Sequence, residues 1–210
     1  MGSIDWSELF KHRQSISKRY PTIWTLPIRP RYSNVLLSTN ISPVTMLEVG
    51  AGDRSLKEKI NKRWNNCKYF SFDIDKNRDH DFYSLESVQG EYDLVCMFEM
   101  IEHITPDIAL EVLQKCFSVM KPGASLMITT PNTFYPPAYL RDATHITPWC
   151  YDELGGIVRL AGFEINQIFR LYKESILKQL FRRYIGYPLF RLVQIDYAKQ
   201  IMLVASKPLS

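Results

Sequence analysis

The chain has 210 residues, 46% of them apolar and 23% charged, with a formal net charge of +4. That is about one domain with a core of its own, and it excludes a disordered, collagen-like or disulfide-stapled chain. The charge is uneven, +4 over residues 1–42, −6 over 43–158 and +6 over 159–210, so the basic flanks are either solvated surface or a face toward an anionic substrate, nucleic acid or membrane.

Trp6, Leu9, Phe10 and Ile16 recur at helical spacing and predict an amphipathic helix over residues 5–19, stopped by Tyr20-Pro21. Pro27, Pro30 and several aromatics follow, then a short helical stretch over residues 32–37. Residues 1–42 are expected to form a helical cap or lid outside the sheet, with 43–210 as the principal domain.

Residues 44–49 are a short apolar run between Pro43 and a glycine, which predicts a buried strand of a parallel sheet. Gly50 and Gly52, flanking Ala51, allow a sharp turn and a ligand lying close to the main chain. Leu56, Ile60 and Trp64 recur every fourth residue, so a helix with one buried face follows. Strand, glycine turn and helix make a nucleotide-binding corner. The region reads Asp53-Arg54-Ser55-Leu56, without the third glycine of a dinucleotide fingerprint. Glu48 instead puts a carboxylate at the strand's end, where it suits a cationic ligand better than a phosphate.

Residues 68–73 predict a second strand closing on Asp73, about 20 residues after Gly52, where a carboxylate faces a ribose in a doubly wound sheet. A third strand is expected to end near Asp81 after only a short polar stretch. Asp81 and Phe82 offer an acceptor and an aromatic face to an adenine, or Asp81 is an ordinary turn aspartate. Residues 92–98 read as the fourth strand, and Pro106 opens a helix to about Met120. Lys121-Pro122-Gly123-Ala124 reads as a turn before a fifth strand over 125–129, with Thr130-Pro131-Asn132 at its end. A helix over about 151–160 precedes a sixth strand over 163–171, and residues 200–206 form the last. Strands alternating with helices imply an α/β fold, a parallel sheet covered on both faces, with its site outside the carboxyl ends of the strands.

The order Glu48-Val49-Gly50-Ala51-Gly52, Asp73, Asp81, Tyr92-Asp93-Leu94-Val95, Glu102-His103, Lys121-Pro122-Gly123, Thr130-Pro131-Asn132 and Ala161-Gly162-Phe163 resembles the landmarks of class I S-adenosylmethionine (SAM) methyltransferases, over about residues 43–207. The resemblance implies a Rossmann-like seven-stranded sheet, mostly parallel with an antiparallel last strand and helices on both faces. It implies SAM as cofactor, bound by Glu48, Gly50, Ala51, Gly52, Asp73, Ile74, Asp81, Phe82 and Phe98. Within the class the chain is similar to small-molecule and sugar O-methyltransferases, including those of ubiquinone biosynthesis and polysaccharide clusters. The implied reaction is methyl transfer to a hydroxyl of a small molecule or glycan. The chain departs from the pattern by shortening the region between Asp73 and Asp81.

Methyl transfer from a sulfonium is an in-line displacement, so the enzyme must align the acceptor and exclude water. An alcohol must also lose its proton, and His103 and His145 follow sheet strands at the edge where the methyl group belongs. Glu99, Glu102 and His103 fall at i, i+3 and i+4, one helical turn, and with His145 would make an oxygen and nitrogen set for magnesium or manganese. That pattern resembles metal-dependent methyltransferases of small-RNA 3′ ends and of catechol-like quinone precursors. Direct base, cation ligand and simple positioning are three open roles for the two histidines.

Nearly thirty residues separate the sixth and last strands, more than a hairpin needs. This insertion, about 172–199, puts Ile176, Leu177, Leu180, Phe181 and Tyr184 on one helical face with Lys178, Arg182 and Arg183 opposite. Such a stripe suits an anionic lipid surface, or else core packing or a homodimer contact. Two other functions compete. An RNA 2′-O-methyltransferase is favoured by the basic flanks and the metal-like set, but the chain shows no RNA-binding appendage and no aromatic platform for single strands. A non-catalytic methyltransferase-like binding subunit is opposed by the intact Glu48, Gly50, Gly52 and Asp73. Cys67, Cys96, Cys116 and Cys150 lack metal-ligand spacing, no apolar run reaches ~18 residues, and Trp6 stands where a myristoylation site at Gly2 needs Ser or Thr, so a cytoplasmic protein is expected, peripheral to the membrane at most.

Overall fold

The structure is a computed structural model in which residues 4–38 and 41–209 are described, so Gly2 lies outside them, as do the side chains of Ile176 and Arg183. In chain order the elements are α1 (Trp6–Arg19), β1 (Ile28–Arg29), α2 (Tyr32–Ser38), β2 (Thr45–Val49), α3 (Ser55–Arg63), β3 (Lys68–Phe72), β4 (Tyr92–Phe98) and α4 (Pro106–Val119). They continue with β5 (Met120–Pro131), α5 (Pro136–Leu140), α6 (Tyr151–Leu160), β6 (Glu164–Leu171), α7 (Ile176–Phe181), α8 (Tyr187–Leu192) and β7 (Gln200–Ser206).

The strands form one sheet of seven in the order β1-β6-β7-β5-β4-β2-β3, with β7 antiparallel to both neighbours and every other pairing parallel. The alternation of a strand's side chains makes its two faces. Leu47, Val95, Met97, Leu126, Ile128, Ile201 and Leu203 point into one core with residues of α1, α4 and α6, while Met46, Leu94, Cys96, Met127 and Met202 point into a second with α2 and α3. Helices therefore cover both faces, and the strand ends are left to build a site.

Seven strands are present, but not the expected seven. The third strand near Asp81 does not form; it is reduced to an isolated bridge between Phe72 and Phe82, because the shortened segment has no residues for a crossover and folds straight back onto β3. The seventh place is taken by β1, which pairs parallel with the end of β6 and so corrects the placement of residues 1–42 outside the sheet. The turn expected at residues 121–124 is instead a bulge in β5, whose register against β4 jumps from Met120 opposite Tyr92 to Ser125 opposite Leu94.

The N-terminal segment is tied in twice. Gly155 and Gly156 of α6 lack side chains where α1 crosses, with Ile16 2.9 Å from a Cβ built on the first and the Arg13 main chain 3.2 Å from one on the second. Arg13 meets Asp152 and Glu153 at 2.8 and 3.0 Å, and the buried Tyr151 hydroxyl donates to the Tyr20 carbonyl at 2.9 Å. Tyr151→Phe leaves that carbonyl without its donor and is expected to cost about 1–2 kcal/mol in denaturant unfolding; an unchanged midpoint would show that Tyr20 finds water instead. The second tie is buried Arg170 of β6, which donates to the Leu26 carbonyl at 3.1 Å and pairs with buried Asp196 at 3.0 Å. With both partners fixed, this pair holds residues 24–26 and the end of the insertion on one strand.

Candidate active site

The first half of the site is the edge made by β2 and β3. Gly50 and Gly52 lie in left-handed backbone, φ +71° and +49°, and the turn between them brings the Gly52 N–H to Asp73 Oδ2 at 2.8 Å. Asp73 Oδ1 accepts from the Asp75 N–H at 3.0 Å. Each carboxylate oxygen thus keeps a free lone pair, enough for two hydroxyls of a ribose. Space for a ligand is present: a Cβ on Gly52 would meet nothing within 4 Å, and the neighbouring Ile74 is 79% exposed.

Glu48 takes a different position. Its buried carboxylate accepts the Tyr69 hydroxyl, and burial pushes its pKa up to about 7 against the pull of that hydrogen bond. Asp81 is bound back to β3, where Oδ2 accepts from the Ser71 N–H at 2.8 Å and the Ser71 hydroxyl at 2.9 Å, with Arg54 at 3.5 Å. The Phe82 ring stacks toward Phe70, centroids 6.4 Å apart. Phe98, at the end of β4, is covered by Tyr32 of α2 at a centroid distance of 4.7 Å.

The second half gathers at the carboxyl ends of β4 and β5. Glu99 leaves β4 in left-handed backbone, φ +52°, and a single 3-10 turn follows over Ile101–His103. That reversal corrects the expected helical turn: Glu99 lies outside the 3-10 turn that carries Glu102 and His103. Glu102, His103 and His145 nonetheless converge, their ligating atoms all within 4.8 Å of one another. Together with Glu99, Tyr135, Asp142 and Lys199 they line a cavity of about 710 Å³.

Glu102 is fully buried. Thr130 donates to its Oε2 at 3.0 Å, while Oε1 has no hydrogen-bond partner among the described residues and faces His145 Nε2 at 4.0 Å. Burial first, then the charge of Glu99, push its pKa up to about 8. The histidines are held alike. His145 Nδ1 meets the Tyr139 carbonyl at 2.8 Å, which accepts only, so Nδ1 carries the proton and Nε2 is bare in the neutral ring. His103 Nδ1 meets the Thr144 carbonyl at 3.1 Å and the Thr144 hydroxyl at 2.9 Å. That hydroxyl already donates to Asp142 at 2.7 Å, so here too Nδ1 is the donor and Nε2 is free.

Sequence reasoning missed Ser71, Thr144, Tyr139 and the Met100 side chain beneath Gly50. Asp142-Ala143-Thr144 carries a turn signal in its aspartate, which accepts the Thr144 N–H at 2.9 Å; the others have none.

The family described as "Methyltransferase domain" matches residues 26–184. The chain belongs to this family. The methyltransferase is 31% identical over 133 residues to the ubiquinone biosynthesis O-methyltransferase of Pseudomonas aeruginosa, a match covering 55% of this chain and 52% of that protein. The match thus spans about half the length of that curated relative. A SAM-dependent methyltransferase from Archaeoglobus fulgidus superposes with a TM-score of 0.66 at 18% identity, covering 97% of this chain and all of that one. An O-methyltransferase family protein from Burkholderia thailandensis does so with a TM-score of 0.60 at 15% identity, over 84% of this chain and 55% of its own. At such identities the structures share the fold alone, and the family membership brings SAM with it as the methyltransferase's cofactor. No helix among the described residues is long and apolar enough to cross a membrane.

Proposed function

We propose that this methyltransferase acts on a hydroxyl of a small molecule or glycan. The observation that carries the reading is the Glu102, His103 and His145 cluster, which lines a cavity at the same carboxyl edge as the glycine turn and Asp73. SAM, when bound, supplies a methyl group on a positively charged sulfur, open to attack by an oxygen. Asp73 would receive the ribose hydroxyls, Gly50 to Gly52 would line the chain of the amino acid, and Ile74, Asp81, Phe82 and Phe98 would border the base. Glu48 would act at one remove, by fixing Tyr69 and the end of β2. Residues 32–38, held to Phe98 through Tyr32, would serve as the lid of this pocket.

A bare imidazole Nε2 of His145 or His103 would take the proton of the acceptor hydroxyl as that oxygen bonds the methyl carbon and the carbon–sulfur bond breaks. Both rings are oriented for that by the carbonyls on Nδ1, and the released product is S-adenosylhomocysteine. The same three side chains fit a divalent cation such as magnesium or manganese. A buried carboxylate oxygen without a partner and two bare Nε2 atoms with carbonyl-anchored Nδ1–H groups are the donor set such an ion requires. A bound ion would lower the pKa of an acceptor hydroxyl.

Calorimetric titration with S-adenosylhomocysteine, with and without magnesium, tests the cofactor half. Asp73→Ala is expected to weaken binding roughly ten- to a hundredfold, as loss of hydrogen bonds to a charged group does. Absence of binding by the folded native chain would overturn the assignment. Labelled methyl transfer to hydroxylated acceptors tests the other half, and label found only on nitrogen or carbon would refute it.

A further inference from the structure

The insertion between β6 and β7 leaves apolar surface that the fold itself does not cover. Residues 176–192 form α7, a π-helical turn over Arg182–Gly186 and α8. Eight large apolar side chains between Leu177 and Val193 are exposed, Leu177 and Leu192 at 80%, Ile185 at 66%, Leu189 at 61% and Phe181 at 57%. Elsewhere in the described chain, apart from Trp6 and Phe10 one turn apart on α1, such residues are scattered singly, which is ordinary for a protein surface. Here they are contiguous, and contiguous apolar surface marks a contact site. The segment is held from behind through Phe190, which packs on Tyr172, Tyr197 and Ala198.

The charge of the segment identifies the occupant. Residues 176–192 contain Lys178, Arg182, Arg183 and Arg191 and no Asp or Glu. Glu174, just outside, pairs with Arg182 at 3.1 Å and offsets one of the four charges, while Arg191 lies over the Trp24 ring. A second copy joined through the same segment would bring the same positive charge against itself, which repels. An anionic surface is complementary to it. α7, the π-helical turn and α8 run on in helical backbone with Pro188 in the first turn of α8, and no helix among the described residues is long and apolar enough to cross a bilayer, so the segment suits a position in its plane.

We propose that residues 176–192 are a docking surface for an anionic lipid bilayer. Leu177, Phe181, Ile185, Leu189 and Leu192 enter the headgroup boundary, and Lys178 with its basic neighbours meets the lipid charge. The hairpin springs from Leu171 and returns at Gln200, which pair with each other, and Gln200 also pairs with Pro131 at the end of β5. Docking therefore sets the membrane at the carboxyl edge of the sheet, beside the cavity of Glu102 and His145 rather than behind it.

Flotation of the full chain with vesicles of phosphatidylcholine alone, and with vesicles in which about a third of the lipid is phosphatidylglycerol, is the test. Binding is expected only to the anionic vesicles and is expected to fall in high salt. The doubly exposed pair Leu177→Ser with Leu192→Ser should lose binding by tenfold or more. Lys178→Glu, a two-unit change at a position where one basic charge is worth roughly fivefold in affinity, should do the same. Circular dichroism and S-adenosylhomocysteine binding verify that each variant is folded. The proposal fails if the native chain does not float with anionic vesicles, or if the variants float as well as it does. It also fails if the native chain is a dimer that Leu177→Ser dissociates, since a second copy would then own the surface.

Discussion

In buffer freed of divalent cations, Glu102→Gln is expected to melt on the order of 10 °C above the native chain at pH 9 and near it at pH 5. The sign follows from burial. The folded-state pKa of Glu102 is raised to about 8 from an ordinary value of 4.5, so the folded state holds a proton that the unfolded chain releases. The stability from that proton is complete below pH 4.5 and is lost as pH rises through about 8. A shift of that size corresponds to about 5 kcal/mol. Glutamine is neutral throughout and escapes the loss. Glu48, raised to about 7, adds a smaller slope of the same sign, but to both proteins alike. The same substitution removes the buried carboxylate that faces His145, and methyl transfer should drop roughly a hundredfold or more. Equal slopes of melting temperature against pH in the two proteins would mean that Glu102 stays charged. Full activity in the variant would put the chemistry elsewhere. A stability gain bought with lost activity is what a site residue held in an unfavourable surrounding produces.

Gly50→Ala is expected to cost about 2–4 kcal/mol and to abolish measurable S-adenosylhomocysteine binding. Two causes add. Gly50 has φ +71°, closed to a side chain at about 1–2 kcal/mol. An added Cβ would stand 2.4 Å from Met100 Cγ and 2.7 Å from its Cβ, atoms near the main chain that move only with the 3-10 turn carrying Glu102 and His103. Gly52→Ala separates the causes, because at φ +49° its Cβ meets nothing within 4 Å and only the backbone cost applies. Urea unfolding of the two variants should therefore differ by about 1 kcal/mol or more, the overpacking part. Equal losses would mean that Met100 yields freely and contributes nothing. Because Met100 touches the glycine turn on one side and precedes Glu102 on the other, Gly50→Ala should also reduce turnover in whatever fraction still binds.

Much of the fold is legible in the amino-acid order. Strands at residues 92–98 and 200–206 are bounded by turn residues and are read at their true limits, and α4 and α6 by their buried periodicity and the Pro106 and Gly162 beside them. Glu48, Gly50, Gly52 and Asp73 can be placed at one edge because strand direction and strand end are both written locally. The departures have local causes too subtle for pattern. A glutamate at φ +52° gives no warning, so spacing alone puts Glu99 on a turn it does not join. Two residues, Ile28 and Arg29, are too few for a strand signal, and they pair only because Arg170 holds Leu26 and Asp196 beside β6.

By itself the sequence determined the α/β class, the succession of its strands and helices, the glycine turn with its acid, and the basic apolar insertion. These follow from hydrophobic periodicity and turn chemistry, which act between near neighbours along the chain. Only the tertiary structure decided that His145 stands against Glu102, that both imidazoles are anchored through Nδ1, that Asp81 is bound back to Ser71 and that the apolar face of residues 176–192 is left uncovered. Those depend on which loops meet at the carboxyl edge, and that is set by packing of the whole sheet, through contacts between residues far apart in sequence that no local pattern encodes.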